Sequence, residues 1–166
     1  AIAAESIEAD LSHVLIKIAN GIYTYNYDWN QMIDLVPPVV KTLHDVGIQV
    51  WGWHYVYGDD PINEARIATS RVLDLNLDGY VIDAESEYKE SGKTNAAKTF
   101  MSELRNRFGK NVPIALSSYR YPSLHPIPWS AFLEKCDYSM PQVYWMEAHN
   151  PGAQLERTLR EYESLD

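Results

Sequence analysis

The chain of 166 residues carries a formal net charge of -9, and 46% of its residues are hydrophobic. This length predicts one domain, residues 1–166, that buries roughly 70% of the surface of its unfolded chain. The negative charge disfavours nucleic acids and anionic membranes as partners, since both are bound by basic patches. No apolar run approaches the roughly 20 residues of a membrane span, and residues 1–10 lack the pattern of a signal peptide, so we expect a soluble protein.

Aromatic residues and a single cysteine are the notable features of the composition. Five Trp and twelve Tyr are many for this length, and such residues serve either as core residues or as platforms on which sugar rings stack. The lone Cys136 forms neither an internal disulfide nor a cysteine metal cluster, so it leaves the compartment open. An extracellular location would require a leader that has been removed.

Five apolar runs predict strands, and they lie at residues 13–19, 48–56, 79–85, 112–118 and 138–145. Two of these runs contain stretches, residues 14–16 and 80–82, in which apolar residues follow one another instead of alternating with polar ones. This pattern is typical of a parallel sheet that is covered on both faces.

Four helices are predicted between and after these strands. Pro37 and Pro38 either start the first helix or separate it from a preceding turn, and Gly47 ends it. The second and third helices have an N-cap residue and a stop signal, and the fourth follows a Pro-Gly pair. These helices run from Asp60 to about Leu75, from Thr94 to Gly109, and from about 153 to 164.

Strand and helix alternate at a spacing of roughly 30 residues, which is typical of right-handed βαβ units. The predicted fold class is therefore α/β, with about five parallel strands and covering helices. Because a (β/α) barrel of eight units needs about 250 residues, we expect either an incomplete TIM barrel or a smaller open sheet. Open strand edges pair readily with other chains, so we also expect a homodimer that covers them.

Two acidic residues end the third predicted strand. Asp83 and Glu85 share a face because alternate side chains of a strand point the same way, and the carboxyl end of a barrel strand is where active sites lie. When two carboxyl groups lie side by side, repulsion between their negative charges raises the pKa of one of them. We therefore predict Glu85 as a general acid and Asp83 as an assisting carboxylate. The alternative is a structural cluster that Lys17, Arg120 or backbone N–H groups neutralise.

The segment that contains these carboxylates resembles a known motif. Residues 78–85, with the sequence Asp-Gly-Tyr-Val-Ile-Asp-Ala-Glu, resemble the D-G-x-D-x-D-x-E strand of chitinase-type glycoside hydrolases. The resemblance implies that Glu85 protonates the glycosidic oxygen and that Asp83 orients the N-acetyl group of the substrate. Val81 replaces the first Asp of the triplet. Residues 82–85 also resemble the D-x-E strand of barrel-type muramidases, the cell-wall lysozymes of bacteria and phages.

A second segment carries the same resemblance. Residues 140–145, with the sequence Met-Pro-Gln-Val-Tyr-Trp, are similar to the strand-six segment of these barrels, where a Met or Gln and a Tyr line the sugar subsite. The resemblance implies that Gln142 and Tyr144 contact the substrate. Trp145 is a candidate stacking surface for a sugar ring.

The second predicted strand offers two sets of side chains, and only one set can face the barrel interior. Trp51, Trp53 and Tyr55 form one set, and His54 belongs to the other. We predict that His54 contacts the substrate or the carboxylates, although a lone His beside aromatic residues is more often a core residue. Tyr57 follows this strand in a rim position, where its hydroxyl can reach a substrate.

Three further residues complete the predicted binding site. Lys17 lies within the first strand, where its charge needs an anion or solvent, and we expect it to pair with the carboxylates. The alternative is a catalytic role in which Lys17 forms a Schiff base with a substrate. Tyr119 and Arg120 begin the loop after the fourth strand, at the face where loops carry function.

These features predict a glycoside hydrolase that acts on a β-linked polysaccharide, with or without N-acetyl groups, such as peptidoglycan or chitin. Glu85 is the acid, and the nucleophile is Asp83 or the acetamido group of the substrate. A non-catalytic carbohydrate-binding or structural barrel remnant is the alternative. A metal-dependent hydrolase ranks last because no H-x-H or H-x-x-E-H pattern is present. We expect a carbohydrate partner and no metal ion or other cofactor.

Overall fold

The computed structural model describes residues 1–145 and 148–165. The strands are β1 (His13–Asn20), β2 (Tyr23–Thr24), β3 (Tyr27–Asp28), β4 (Ile33–Asp34), β5 (Gln49–Val56), β6 (Gly79–Ala84), β7 (Ile114–Ser117) and β8 (Tyr138–Ser139). The helices are α1 (Ile2–Glu8), α2 (Val36–His44), α3 (Pro61–Asp74), α4 (Lys93–Phe108), α5 (Trp129–Leu133) and α6 (Pro151–Glu163). Two 3-10 turns span Ser86–Lys89 and Pro122–Leu124.

Six of these strands form one sheet in the order β2-β1-β5-β6-β7-β8. Strands β1, β5, β6, β7 and β8 run parallel to one another, whereas β2 pairs antiparallel with the end of β1. The parallel strands coincide with the five apolar runs of the sequence, and a helix lies in each connection between them. The predicted α/β class with about five parallel strands and covering helices is therefore confirmed.

The last parallel strand is much shorter than the predicted strand over residues 138–145. Strand pairing covers only Tyr138–Ser139, although the backbone N–H of Gln142 still donates to Ser118 O at 2.9 Å. The N–H of Met140 also donates to Leu116 O at 2.8 Å, so the N–H that Pro141 lacks would have pointed away from β7, towards the free edge of the sheet. The chain beyond β8 is irregular where it runs beside the end of β7.

Two of the predicted helix signals are confirmed and one is wrong. Asp60 caps α3, because its Oδ1 accepts a backbone N–H of the first turn at 3.2 Å. Gly109 ends α4 with a φ of 60°. The prediction that Thr94 caps α4 is wrong, because Gly92 turns the chain with a φ of 86° and the helix begins at Lys93.

The other helices differ slightly from their predicted bounds. Helix α2 begins at Val36, so Pro37 and Pro38 lie in its first turn and start the helix. Gly47 follows its end with a φ of 78°. Helix α6 begins at Pro151, just before its predicted start. Helices α1 and α5 are short, and the sequence pattern did not predict them.

The main hydrophobic core lies between one face of the sheet and the helices. Tyr80, Ile82 and Leu116 from the sheet are fully buried there, as are Phe100 and Leu104 from α4. Burying one such side chain stabilises a protein by about 1.5–3 kcal/mol. This layer therefore supplies most of the apolar burial that holds the sheet in place.

The opposite face of the sheet carries only a small apolar cluster. Trp51, Val81 and Ala115 are buried there, and Trp53 and Met140 pack against them. This is the face that would form the interior of a closed barrel.

Much of the interior face remains open towards the two edges of the sheet. Leu15 on β1 is 41% exposed and Tyr138 on β8 is 56% exposed. On the helical side of the sheet, a groove of about 410 Å³ lies between the β8 edge and helices α5 and α6, beside Cys136 and Tyr162. The open edges fit a barrel that lacks some of its strands.

The helices of the described residues include none that combines the length and the apolar character needed to cross a bilayer.

We expect Gly79→Ala to destabilise the fold. A Cβ at Gly79 would lie 2.3 Å from Cδ2 of the Trp51 ring, and overpacking of this kind costs about 1–3 kcal/mol. Urea unfolding, followed by far-ultraviolet circular dichroism, measures this loss. Gly152→Ala is the matched control, since a Cβ at Gly152 meets nothing within 4 Å. Equal stability of Gly79→Ala and the wild type would contradict the close packing of Trp51.

The homodimer stays a prediction, and sedimentation velocity over a range of concentrations tests it. We expect the wild type to dimerise and Tyr138→Lys to shift the equilibrium towards the monomer, because a charge on an exposed edge opposes strand pairing. Leu73→Lys is the control, since Leu73 is 57% exposed on α3, away from the open face. A wild type that is monomeric at every concentration would contradict the prediction.

Candidate active site

Strand alternation places the aromatic set of β5 on the open face and His54 in the core. Trp53 and Tyr55 lie beside Val81 and Asp83 of β6 in the parallel register. His54 is fully buried on the helical side of the sheet. The strand thus resolves the two alternatives that its sequence left open, in favour of the aromatic set.

The prediction that His54 binds substrate is therefore corrected. Its Nε2 lies 2.7 Å from Gly21 O, which can only accept, so Nε2 carries the proton and donates. Its Nδ1 then accepts from the Tyr80 hydroxyl at 2.8 Å. Burial lowers the pKa of His54 to about 4. A neutral ring with both nitrogens bonded inside the core has a structural role.

One side-chain amide contacts both candidate catalytic carboxylates. Gln142 Nε2 donates to Asp83 Oδ1 at 3.0 Å and to Glu85 Oε1 at 2.8 Å. It also lies 3.4 Å from Ser117 Oγ, and Ser117 is the residue beside Asp83 in the parallel register. A single amide group can bond both carboxyls only if they point to the same side of the sheet, so they do.

The two carboxyl groups lie close enough for the protonation of one to affect the other, and both are only partly exposed. Burial first, and then the charge of Asp83, raises the pKa of Glu85 to about 7. Burial also raises the pKa of Asp83, while bonding to Glu85 and Gln142 and the charge of Lys17 act in the opposite direction. The pair therefore holds one proton into the neutral range.

Lys17 lies among aromatic rings instead of in a direct ion pair. Its ammonium is 4.4 Å from the ring centroid of Tyr25, 4.5 Å from Trp53 and 5.8 Å from Tyr55. Among the described residues no carboxylate lies within salt-bridge distance of Lys17, so the expected direct pairing with Asp83 is not seen. Such cation–π contacts stabilise the ammonium, and its charge acts on Asp83 from a longer distance.

Burial lowers the pKa of Lys17, although the charge of Asp83 acts in the opposite direction.

Tyr55 and Tyr57 lie at the rim, and each has a polar partner. The Tyr55 hydroxyl donates to Glu87 Oε2 at 2.9 Å, so Glu87 is held at the rim although it lies beyond the end of β6. Burial, with the bond to Glu87, raises the pKa of Tyr55. The Tyr57 hydroxyl accepts from Asn20 Nδ2 at 2.9 Å and keeps its own proton for a further acceptor.

Tyr119 and Arg120 follow β7 and do not contact the carboxylates directly. The Tyr119 ring stacks on His125 with centroids 5.5 Å apart. The Arg120 guanidinium lies 5.0 Å from the ring centroid of Tyr121 and donates to Tyr144 O. The alternative that Arg120 neutralises Asp83 or Glu85 therefore finds no support among the described residues.

A pocket of about 210 Å³ opens in front of Asp83. Its lining combines polar side chains with aromatic rings, which suits a ligand that needs both hydrogen bonds and a stacking surface. Tyr144, at 62% exposure, and Trp145, at 48%, remain accessible for contact with a ligand. The residues that line the pocket are Leu15, Trp53, Val81, Asp83, Ser117, Gln142 and Tyr144.

Sequence reasoning missed Ser117 and His125 as site residues. Ser117 lies beside Asp83 only because of the register between β6 and β7, which the sequence does not reveal. His125 follows a 3-10 turn, and its Nε2 lies 3.7 Å from Glu85 Oε2. No sequence motif marks His125. Within residues 1–145 and 148–165, no group of three or more His, Cys, Asp or Glu side chains is arranged to hold a metal ion.

Comparison with known proteins finds similarity in structure alone. No family model matches the sequence, and no curated protein matches it. A solved structure of a chitinase from Rhizomucor miehei superposes with a TM-score of 0.68 at 12% identity, covering 94% of this chain and 59% of that chain. The fold is that of the chitinases.

A second solved structure supports the same conclusion about the fold. The chitinase domain of the spore coat protein CotE from Clostridium difficile superposes with a TM-score of 0.62 at 12% identity, covering 92% of this chain and 60% of that chain. The present chain thus spans about 60% of the length of these structures. Its sheet corresponds to part of the barrel in these structures.

We expect Glu85→Gln to change how stability depends on pH. The folded protein keeps the Glu85 proton up to about pH 7, whereas the unfolded chain releases it near 4.5. Stability contributed by this group is complete below pH 4.5 and is lost as pH rises through the folded pKa. Because Gln does not ionise, the variant should be more stable than the wild type at pH 8 by about 1–3 kcal/mol, a range reduced for solvent screening.

Urea unfolding at pH 4.5 and pH 8 measures this difference. Glu156→Gln, on the exposed side of α6, is the matched control and should leave the pH dependence unchanged. A wild type whose stability does not fall between these two pH values would contradict the raised pKa of Glu85.

Proposed function

We propose that the chain is a glycoside hydrolase that acts on a β-linked, N-acetylated polysaccharide of the peptidoglycan or chitin type. Glu85 is the general acid, and Asp83 is the assisting carboxylate. The observation that carries this proposal is the pair of carboxyls bonded to one Gln142 amide, with a Glu85 pKa of about 7, beside a pocket lined in part by aromatic rings. The chitinase-like fold supports the class of reaction.

The raised pKa of Glu85 suits the first chemical step. A general acid works best when its pKa is near the working pH, because it is then protonated and still able to release the proton. Glu85 gives its proton to the glycosidic oxygen as the bond to the leaving sugar breaks. The ionised Asp83 carboxylate stabilises the positive charge that develops on the substrate.

The close spacing of the two carboxyls favours the substrate's acetamido group as nucleophile. A protein nucleophile and its acid partner normally lie about 5–5.5 Å apart, with the anomeric carbon between them. The Gln142 amide nitrogen is bonded to both, at 3.0 Å from Asp83 Oδ1 and 2.8 Å from Glu85 Oε1, so it occupies the space between these two oxygens in which the anomeric carbon would have to lie. Asp83 is better placed to orient and polarise an acetamido group, and this argument supports an N-acetylated substrate.

The surrounding aromatic and polar side chains supply the binding surface in this proposal. Trp53 and Tyr144 line the pocket, and Tyr57 offers a hydroxyl proton at the rim. Lys17 keeps a positive charge near Asp83, which favours the ionised form of that carboxylate while Glu85 retains its proton. Trp145 and Tyr119 extend the accessible surface on the β7 and β8 side.

A non-catalytic carbohydrate-binding barrel is the second candidate, and two observations favour it. The first Asp of the chitinase-type triplet is replaced by Val81, which packs against Trp51 and Ala115. The open interior face also leaves Leu15 and Tyr138 exposed. In this case the pocket binds a glycan and releases no product.

We expect Glu85→Gln to lower kcat on chitin oligosaccharides or peptidoglycan by about 10²–10⁴-fold, the usual contribution of general acid catalysis. The substitution keeps the size of the side chain and its acceptor for the Gln142 amide, so binding of the same oligosaccharide should persist. Release of reducing ends measures the rate, and isothermal titration calorimetry measures binding. Glu156→Gln is the control and should keep full activity.

The substrate's acetamido group is tested with the same assay. Oligosaccharides with N-acetyl groups should be cleaved, and the deacetylated forms should not, because they lack the internal nucleophile. Unchanged turnover by Glu85→Gln would remove Glu85 from the mechanism. Glycan binding by the wild type without any reducing ends after long incubation would favour the second candidate.

A further inference from the structure

His125 is held firmly beside the candidate acid. Its backbone N–H donates to Pro122 O at 3.0 Å, and its carbonyl accepts from Trp129 Nε1 at 2.8 Å. The imidazole stacks on Tyr119 and meets the edge of the Trp129 ring with centroids 6.5 Å apart. Backbone and ring are therefore both fixed, and the residue is only 6% exposed.

The Nε2 atom of this ring is buried and has no hydrogen-bond partner among the described residues. It lies 3.7 Å from Glu85 Oε2, slightly beyond hydrogen-bond distance. The other oxygen of Glu85 is already bonded to Gln142 Nε2. A buried polar atom without a partner costs free energy, and the free oxygen of Glu85 is the acceptor that faces it.

We propose that His125 is a positioning residue that donates its Nε2–H to Oε2 of Glu85 when Glu85 is ionised. This inference rests on the proposed function, in which Glu85 passes its proton to the glycosidic oxygen. His125 keeps its own proton throughout and changes only its hydrogen bond. Rotation of the Glu85 carboxyl closes the gap, as catalytic hydrogen bonds often tighten during the reaction.

The charges around the two side chains favour a neutral His125. Burial lowers the pKa of His125 and the charge of Lys89 acts in the same direction, while Glu87 opposes them. Two neighbouring hydroxyls are already used, since Tyr55 donates to Glu87 and Tyr162 donates to Tyr119 O at 3.1 Å. The titratable and charged groups that face Glu85 and His125 from the surrounding elements are Lys17, Tyr55, Asp83, Glu87, Lys89, Tyr119 and Tyr162.

The ionised acid would then have a donor on each oxygen, with Gln142 on Oε1 and His125 on Oε2. Hydrogen bonds to a carboxylate are stronger than those between neutral groups. The arrangement stabilises Glu85 after it has lost its proton, and it therefore makes Glu85 a stronger acid than burial alone would allow.

Two substitutions at His125 distinguish the effect of its Nε2–H donor from the effect of its aromatic ring. His125→Phe keeps an aromatic ring that stacks on Tyr119 but removes the donor, whereas His125→Gln keeps an N–H donor of similar reach and removes the ring. We expect His125→Phe to move the alkaline limb of the pH profile of kcat/KM upward by about one pH unit, since Glu85 becomes a weaker acid. The profile of His125→Gln should stay close to that of the wild type.

The opposite pattern would overturn the proposal. If His125 acts only through packing, His125→Phe keeps the wild-type profile and His125→Gln is the impaired variant. An equal shift in both variants would also overturn it, because the ring and not the donor would then be responsible.

A measurement without turnover separates this inference from the proposed function. In the wild type, the ¹⁵N and ¹H resonances of His125 Nε2–H should change as Glu85 titrates near pH 7, and the Glu85 carboxyl ¹³C resonance should follow the same midpoint. This experiment needs no variant and no substrate. Resonances of His125 that do not respond to Glu85 would overturn the positioning role, whereas a response in a protein without hydrolysis would contradict the proposed function alone.

Discussion

The hydrogen bonds from the Gln142 amide to Asp83 and Glu85 are the interactions on which the candidate site depends. Two partly buried carboxyls on one face of a strand repel each other when both are charged, and burial without a partner is costly. Sharing one proton removes one charge, and the amide, at 2.8 and 3.0 Å from the two groups, partly replaces the lost contacts with water. The pair is thus tolerated at the carboxyl end of β6, with an acid that stays protonated in the neutral range.

The two faces of the sheet have different roles, since one carries the main hydrophobic core and the other carries the candidate site. On the helical side, Tyr80, Ile82 and Phe100 are fully buried, and even His54 has both ring nitrogens bonded there. The open side keeps only the small cluster around Trp51 and Val81, and above it lie the carboxyls, Lys17 and the aromatic rings. A rigid layer behind β6 therefore holds the acidic residues in position while the face that carries them remains accessible.

Much of the fold was predictable from local patterns, because buried parallel strands have nearly continuous apolar runs and Asp60 and Gly109 are strong helix signals. The prediction for Thr94 failed because Gly92 changes the backbone just before α4. Strand alternation correctly divided β5 into two sets, but it could not tell which set faces the helices. That choice depends on tertiary packing, so His54 was assigned to the wrong face.

The candidate site was predictable where its residues lie in a recognisable motif, as Asp83 and Glu85 do in residues 78–85 and Gln142 does in residues 140–145. Contacts between distant segments were not. Lys17 was expected to pair with the carboxylates, but Tyr25 and Trp53 surround it, and His125 approaches Glu85 from a turn without any motif. The register between neighbouring strands and the path of loops decide such contacts, and neither is encoded in spacing along the chain.

The end of β8 at Ser139 leaves part of the candidate site on the free edge of the sheet. The residue that holds both carboxyls, Gln142, is carried by irregular backbone at the free edge of the sheet, and its own N–H is bonded to Ser118 O. A strand that paired with this edge would also restrain the backbone that positions the Gln142 amide. The contacts that hold the two carboxyls therefore depend on backbone at a sheet edge that would have to pair with a further strand to close the barrel.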